Sequence, residues 1–451
     1  MKKILLLCCA AILAFEMGCS SSDSDKKDRS LYEGDDPGEC NDGADNNRDG
    51  KFDCDDAGCA NSKPCTGSDT DPDSNTTITT GSETDSGTSS TATTDADTDT
   101  DTKTEDDSST GSETVTVVVP AGEGWLRTEG NQILSEDGSV FRGRGANVHD
   151  TRNCGACYNP NVAGVNRRID ELVDVWGANF LRLCLESHEP SEDPVNDAEY
   201  MQDIIEIVEH IGTKPGVYVL ASLWWDATVD ATELKIPAAT VVPIWEKLVE
   251  KLAPYSHVMF GLVNEPTGVH SSDTVEVDDD DVEVWEAMNN TVAAIRAVEA
   301  RVGSPKHLIA VQGTRAYGKF LQYYPNHPIT AGEGENIVYE VHVYYGNDGD
   351  KWEYRWKTPA ETLPVIIGEF AEVYESWDTL SLEDCDRMII DAEALDIPWL
   401  AWTFHTNCGN PLINADNSCE ANVNISPTSG WGELIYNRLH TPWGSQDSAL
   451  P

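Results

Sequence analysis

The sequence predicts a mixed α/β chain whose larger part, residues 114–451, is a (β/α)8 TIM barrel. Three observations predict it. Short apolar runs recur at 141–147, 178–186, 217–225, 258–264, 307–313, 337–345, 365–371 and 399–405, and eight is the strand count of that barrel. Segments of helical period stand between them, at Val165–Trp176, Tyr200–Ile211, Val242–Leu252, Val282–Val302 and Leu382–Leu395, with Trp431–Leu439 after the last run. The ends of the runs collect carboxylates and aromatics, and no glycine-rich phosphate turn is present, which disfavours a doubly wound open sheet. Ahead of the first run, Val115–Val119 and the stretch Trp125–Phe141 read as an introductory hairpin with Asp137-Gly138 as turn signal.

The chain begins with a different texture. Lys2 and Lys3 precede an apolar run from Ile4 to Phe15, shorter than the roughly 20 residues a helix needs to cross a bilayer. It reads as an export signal over residues 1–18. Its end, Glu16-Met17-Gly18-Cys19 followed by Ser20–Ser22, resembles a bacterial lipobox, with Glu16 standing where an apolar residue is usual. That resemblance implies an acylated Cys19 that anchors the chain to a membrane, at the cell surface or outer membrane; a plain secretory signal is the alternative.

A polar spacer, 19–36, leads to a Cys- and Asp-rich module, 37–66. There Asp45, Asn47, Asp49, Asp53 and Asp56 fall at loop positions 1, 3, 5, 9 and 12, with Gly50 at 6 and the backbone carbonyl of Lys51 at 7. Hard cations want several oxygens and the glycine allows the turn that gathers them, so a structural calcium ion is expected at 45–56. No amphipathic helix flanks the loop, so it resembles the calcium loops of thrombospondin type 3 repeats or dockerins rather than an EF-hand. An acidic loop held by two disulfides is the alternative. Residues 67–113 are almost wholly Thr, Ser, Asp, Gly and Glu, and are expected to be a disordered, self-repelling linker spanning roughly 40 Å.

Asp and Glu number 80 against 30 Lys and Arg, a formal charge of −50. Such a surface repels phosphate backbones, so nucleic acid is not an expected partner, while a neutral glycan is indifferent to it. Of the 13 cysteines, Cys8 and Cys9 leave with the export signal and Cys19 is acylated on this reading, and the ten that remain in an exported chain point to bridges rather than metal thiolates. Cys40, Cys54, Cys59 and Cys65 cluster, with three pairings open to them. Cys154 with Cys157 and Cys408 with Cys419 are near neighbours, whereas Cys184 and Cys385 lie in barrel elements and are candidates for free thiols.

The chemistry is expected where barrel strands end. The fourth run ends Gly261-Leu262-Val263-Asn264-Glu265-Pro266 and the seventh ends Val365-Ile366-Ile367-Gly368-Glu369-Phe370. Strands 4 and 7 of such a barrel face each other across its mouth, so Glu265 and Glu369 are placed to meet. Glycoside cleavage needs such a pair, one carboxyl to protonate the leaving oxygen and another to act on the sugar carbon from the opposite face. Alone, Asn-Glu-Pro reads equally as a turn and Gly-Glu as a strand end.

Together with four more segments they carry a resemblance: residues 115–451 look like glycoside hydrolase family 5, in the clan of retaining barrel glycosidases. Asn264-Glu265-Pro266 matches the acid/base motif and Ile367-Gly368-Glu369-Phe370 the nucleophile motif. Phe180-Leu181-Arg182-Leu183 resembles the second-strand segment whose arginine contacts the nucleophile, and Val341-His342-Val343-Tyr344 the sixth-strand His-x-Tyr segment. Trp399-Leu400-Ala401-Trp402 resembles the eighth-strand segment whose tryptophan floors the cleavage subsite, and Asn147-Val148-His149 is a weaker match after the first strand. The third strand departs from the family: it ends Ser222-Leu223-Trp224-Trp225-Asp226 where many members have a histidine.

The resemblance implies a retaining, endo-acting hydrolase of a β-1,4-linked polysaccharide, a glucan ahead of β-mannan, needing no cofactor for catalysis. Glu369 is expected to attack as a carboxylate, its pKa lowered by Arg182 and Tyr344, while Glu265 carries the proton. Asn264 is expected to bond the sugar 2-hydroxyl, Trp402 to stack on the ring, His342 to support the pair or bind sugar, and Trp224 to line a further subsite. A surface carbohydrate-binding protein on an inactive barrel, or an adhesion element, is the rival of another class.

Overall fold

The computed structural model describes residues 124–152, 161–186, 195–225, 241–266, 279–315, 317–374, 379–406, 409–414 and 425–451. The expectations for the export signal, Cys19, the calcium loop at 45–56, the linker, Val115–Val119 and every cysteine but Cys184 and Cys385 lie outside these residues. Those two are buried thiols.

The strands are β1 (Arg127–Glu129), β2 (Gln132–Leu134), β3 (Arg144–His149), β4 (Phe180–Glu186), β5 (Tyr218–Trp225), β6 (Val258–Gly261), β7 (Ile309–Gln312), β8 (Ile337–Val343), β9 (Val365–Phe370), β10 (Val373–Tyr374), β11 (Thr379–Leu380) and β12 (Trp399–Ala401). β3 to β9 and β12 close into a parallel barrel in the order β12-β3-β4-β5-β6-β7-β8-β9. Closure rules out the open sheet. The helices are α1 (Val162–Asp170), α2 (Ala198–Gly212), α3 (Val241–Leu252), α4 (Asp279–Val302), α5 (Thr358–Ala360), α6 (Leu382–Ala394) and α7 (Trp431–His440). Each of the longer ones turns an apolar stripe inward; on α3 it is Val241, Ile244, Trp245, Leu248, Val249 and Leu252, at helical spacing. α1, α2 and α6 begin on Asn161, Asp197 and Ser381, whose side chains accept from the first-turn amides.

Two connections lack a long helix. Between β7 and β8 the chain runs through turns and a short 3-10 segment at Ala331–Gly334, and between β8 and β9 a π turn, Glu353–Lys357, leads into the single turn of α5. Among the described residues no helix is long and apolar enough to cross a membrane.

The hairpin differs from expectation. Its strands are β1 and β2, turning at Gly130 with φ 61°, and Asp137-Gly138 makes a second turn that closes the bridge Leu134↔Val140. The Asp137 carboxylate accepts from the Ser139 amide at 2.9 Å, which favours that corner.

The barrel interior has two storeys. Along a strand successive side chains alternate between the helix layer and the interior. Phe180, Leu220, Ala310, Val338, Ile366 and Leu400 pack in the interior with Leu126, Ile133 and Phe141 from the hairpin region as one apolar cluster. Two residues further along, the same faces carry Arg182, Ser222, Gln312 and Glu340, all buried. An apolar plug thus supports a polar rung, and the polar rung lies at the C-terminal ends of the strands.

Candidate active site

Simple alternation along β9 would send Glu369 outward with Ile367, into the helix layer. The pairing with β8 prevents this: Val341 opposes Ile367, but the next residue, His342, opposes Glu369. Gly368 is the extra residue of a bulge, which re-aims Glu369 toward the mouth. A Cβ on Gly368 would stand 2.0 Å from Glu340 Oε1. Gly368→Ala is therefore expected to displace the buried Glu340, lowering stability by roughly 1–3 kcal/mol with a marked loss of activity, read by denaturant unfolding and initial rates.

Glu369 is buried, and its Oε1 accepts from Arg182 Nη1 at 2.6 Å while Oε2 accepts from the Tyr344 hydroxyl at 2.9 Å. Glu265, just past β6, has φ 53°, a left-handed conformation strained for a side-chain-bearing residue. Its amide donates to Gln312 Oε1 at 2.5 Å, which holds the backbone there. Glu265 Oε1 lies 2.9 Å from His342 Nδ1, and the same nitrogen lies 3.5 Å from Glu369 Oε2. An oxygen of each glutamate and a ring nitrogen of His342 all lie within 4.8 Å of one another.

Arg182 is the hub. It also donates to Asn147 Oδ1 at 3.0 Å and Asn264 Oδ1 at 2.8 Å, and its Nε lies 3.0 Å from Glu340 Oε1. Asn147 in turn donates to the carbonyls of Gly368 and Ala401, tying β3 to β9 and β12. Arg182 on β4, Asn264 and Glu265 after β6, His342 and Tyr344 at the end of β8 and Glu369 on β9 thus converge.

The electrostatics revise one expectation. Arg182, His342 and Tyr344 all favour the Glu369 carboxylate, but burial and the charge of Glu265 outweigh them, and the Glu369 pKa is raised rather than lowered. His342 moves the other way. Burial opposes its charge, yet Glu369, Glu265 and Glu340 surround it and push its pKa up to about 9. It is an imidazolium at neutral pH, more than the supporting histidine the sequence suggests.

Trp402 follows β12 and is buried save for a small exposed fraction; its carbonyl accepts from Trp431 Nε1 at 2.9 Å. His149 lies behind it, with its ring centroid 5.2 Å from that of Trp402 and 5.2 Å from that of His405. His149 is buried, packed under the indole. Trp224 and Trp225 end β5, and their side chains lie outside the described ones. Sequence reasoning missed Gln312, Glu340, His405 and Tyr317. Glu340 had a signal: an acid two residues before His342 in an otherwise apolar strand shares its face. Tyr317 is half exposed with φ 66°, and its amide donates to the Pro266 carbonyl at 3.1 Å, setting an aromatic residue beside the Glu265 loop.

Burial depresses His149 to about 3, with Arg168 and Arg182 adding to the effect, and His405 to about 2, with its neighbours His149 and Arg168 lowering it further. Both stay neutral in the fold, while the unfolded chain takes up protons near pH 6.5. The stability they allow is complete above pH 6.5 and is lost as pH falls toward these depressed values. Between pH 7 and 5 the calorimetric melting temperature is expected to drop by roughly 5 °C, and His405→Gln to halve the drop.

Comparisons with known proteins bear on the family and the fold. The family model for cellulase, glycosyl hydrolase family 5, matches residues 134–407. No curated protein matches the chain significantly. Among solved structures, the catalytic domain of Thermobifida fusca endoglucanase Cel5A is 17% identical, with TM-score 0.55, covering 71% of this chain and 98% of that one. The Saccharophagus degradans β-glucanase SdGluc5_26A, in complex with cellotetraose, is 19% identical with TM-score 0.54, covering 70% of this chain and 93% of that one. At such identities the structures speak for the barrel, and the family match speaks for the chemistry: this chain belongs to glycosyl hydrolase family 5, the cellulase family, and is a glycoside hydrolase.

Proposed function

We propose that the enzyme is a retaining, endo-acting hydrolase of β-1,4-linked glucan, with Glu369 as nucleophile and Glu265 as acid/base. The observation that carries this reading is that an oxygen of Glu265 and an oxygen of Glu369 lie within 4.8 Å of each other. Retaining enzymes hold their carboxyls about 5–5.5 Å apart, whereas an inverting pair needs about 6.5–9.5 Å to admit a water. Arg182 and Tyr344, both on Glu369, orient its oxygens for attack, and Glu265 is partly exposed where a leaving group would depart. The names of the similar structures, an endoglucanase and a β-glucanase with cellotetraose bound, favour a β-glucan over mannan.

Two measurements test the reading. Reducing-end release on soluble cellulose derivatives, mixed-linkage glucan, mannan and xylan should be greatest on a glucan. Proton NMR of the first product should show the β-anomer before mutarotation; an α-anomer would rule out double displacement.

A further inference from the structure

Glu340 is fully buried on β8 and has no part in the displacement chemistry just described. Its Oε1 lies 3.0 Å from Arg182 Nε and 3.2 Å from His342 Nε2, against the Cα of Gly368. Burial favours its neutral form, but Arg182, His342 and the Gln312 amide overcome this and lower its pKa, so it is a carboxylate. The charged and titratable groups around His342 are Glu265 after β6, Glu369 on β9, Glu340 and Tyr344 from the β8 segment and Arg182 on β4, with the neutral Gln312 amide on β7. Two cations and the carboxylates are thereby packed onto the apolar plug.

The double displacement moves charge through this cluster. In the first step a Glu369 oxygen bonds the anomeric carbon as the glycosidic C–O bond breaks, and Glu265 gives its proton to the leaving oxygen. Glu369 becomes a neutral ester and Glu265 a carboxylate. In the second step a water oxygen displaces the ester, its proton passes to Glu265, and Glu369 leaves as a carboxylate. The negative charge on the pair is unchanged in amount but changes place, and His342 Nδ1 stands between the two stations, 2.9 Å from Glu265 and 3.5 Å from Glu369. While Glu369 is an ester, Glu340 is the carboxylate that still contacts Arg182.

We propose that Glu340 is a positioning residue for the reaction: bridging Arg182 and His342 from beneath, it keeps both cations in place as negative charge passes from Glu369 to Glu265. The inference rests on the double-displacement reading above. Without the Glu340 charge the buried cluster carries an excess positive charge in both states, and His342 is the cation able to shed it.

Glu340→Gln in the full chain keeps the size and removes the charge. The His342 imidazole, followed by NMR, is expected to lose its proton near pH 9 in the native chain and about one unit lower in the variant. kcat on soluble β-glucan should fall roughly 10- to 100-fold with KM little changed, and the alkaline limb should move down with the His342 titration. Glu340→Asp, which keeps the charge, should recover part of both. Unaltered kcat, pH profile and His342 titration in Glu340→Gln would overturn the proposal. If that variant does not fold, the native chain decides: a His342 protonated through pH 8 supports it, and one neutral at pH 7 sinks it. The titration needs no turnover, so it stands apart from the assignment of the glutamates, whose failure would appear as activity surviving in Glu369→Gln.

Discussion

Glu369→Gln should reduce hydrolysis of every glycan substrate by on the order of 10⁴-fold or more, the scale on which a covalent mechanism suffers when its nucleophile is removed. The amide keeps the shape of the side chain but cannot form a glycosyl ester. Arg182 and Tyr344, which donate to Glu369 at 2.6 and 2.9 Å, lose an anionic acceptor. Because the defect lies in bond making, oligosaccharide affinity measured by calorimetry should stay within a few-fold of the parent while kcat collapses. Turnover within about tenfold of the parent would place the nucleophile elsewhere.

Glu265→Gln should behave differently according to the leaving group. On polymer, where the departing sugar oxygen needs a proton, loss of the general acid is expected to cost roughly 10²- to 10⁴-fold. On an aryl glycoside with an acidic phenol, bond cleavage needs little protonation and should persist. The second step then lacks its base, so phenol should appear as a burst followed by a slow phase, and azide, which attacks without deprotonation, should accelerate that phase. Equal losses on both substrates would argue that Glu265, held at φ 53° by the Gln312 side chain, has a structural role alone.

The barrel and the convergence of its motif residues were legible in the sequence because they depend on periodicity and order, which are local properties. The eight apolar runs, and Arg182, Glu265, His342, Tyr344 and Glu369 near their ends, need only a count of strands to be brought together. What was not legible depends on register and on net electrostatics. The bulge at Gly368 arises from the pairing of β8 with β9, and no pattern within β9 announces it. The direction of the Glu369 shift is a balance of burial and Glu265 against three favourable partners, which a list of neighbours cannot resolve. The helix-poor connections before β8 and β9 gave no strong period, and the sequence offered no helix there.

The apolar plug beneath the polar rung has a consequence for proton traffic. Phe180, Leu220, Ala310, Val338, Ile366 and Leu400 offer no side-chain donor or acceptor, so exchange between the cluster and bulk water is expected through the end of the barrel where the strands terminate. A glycan lying across that end is expected to act as a stopper, leaving the enclosed hydrogens shared among Glu265, His342 and the sugar until the chain departs.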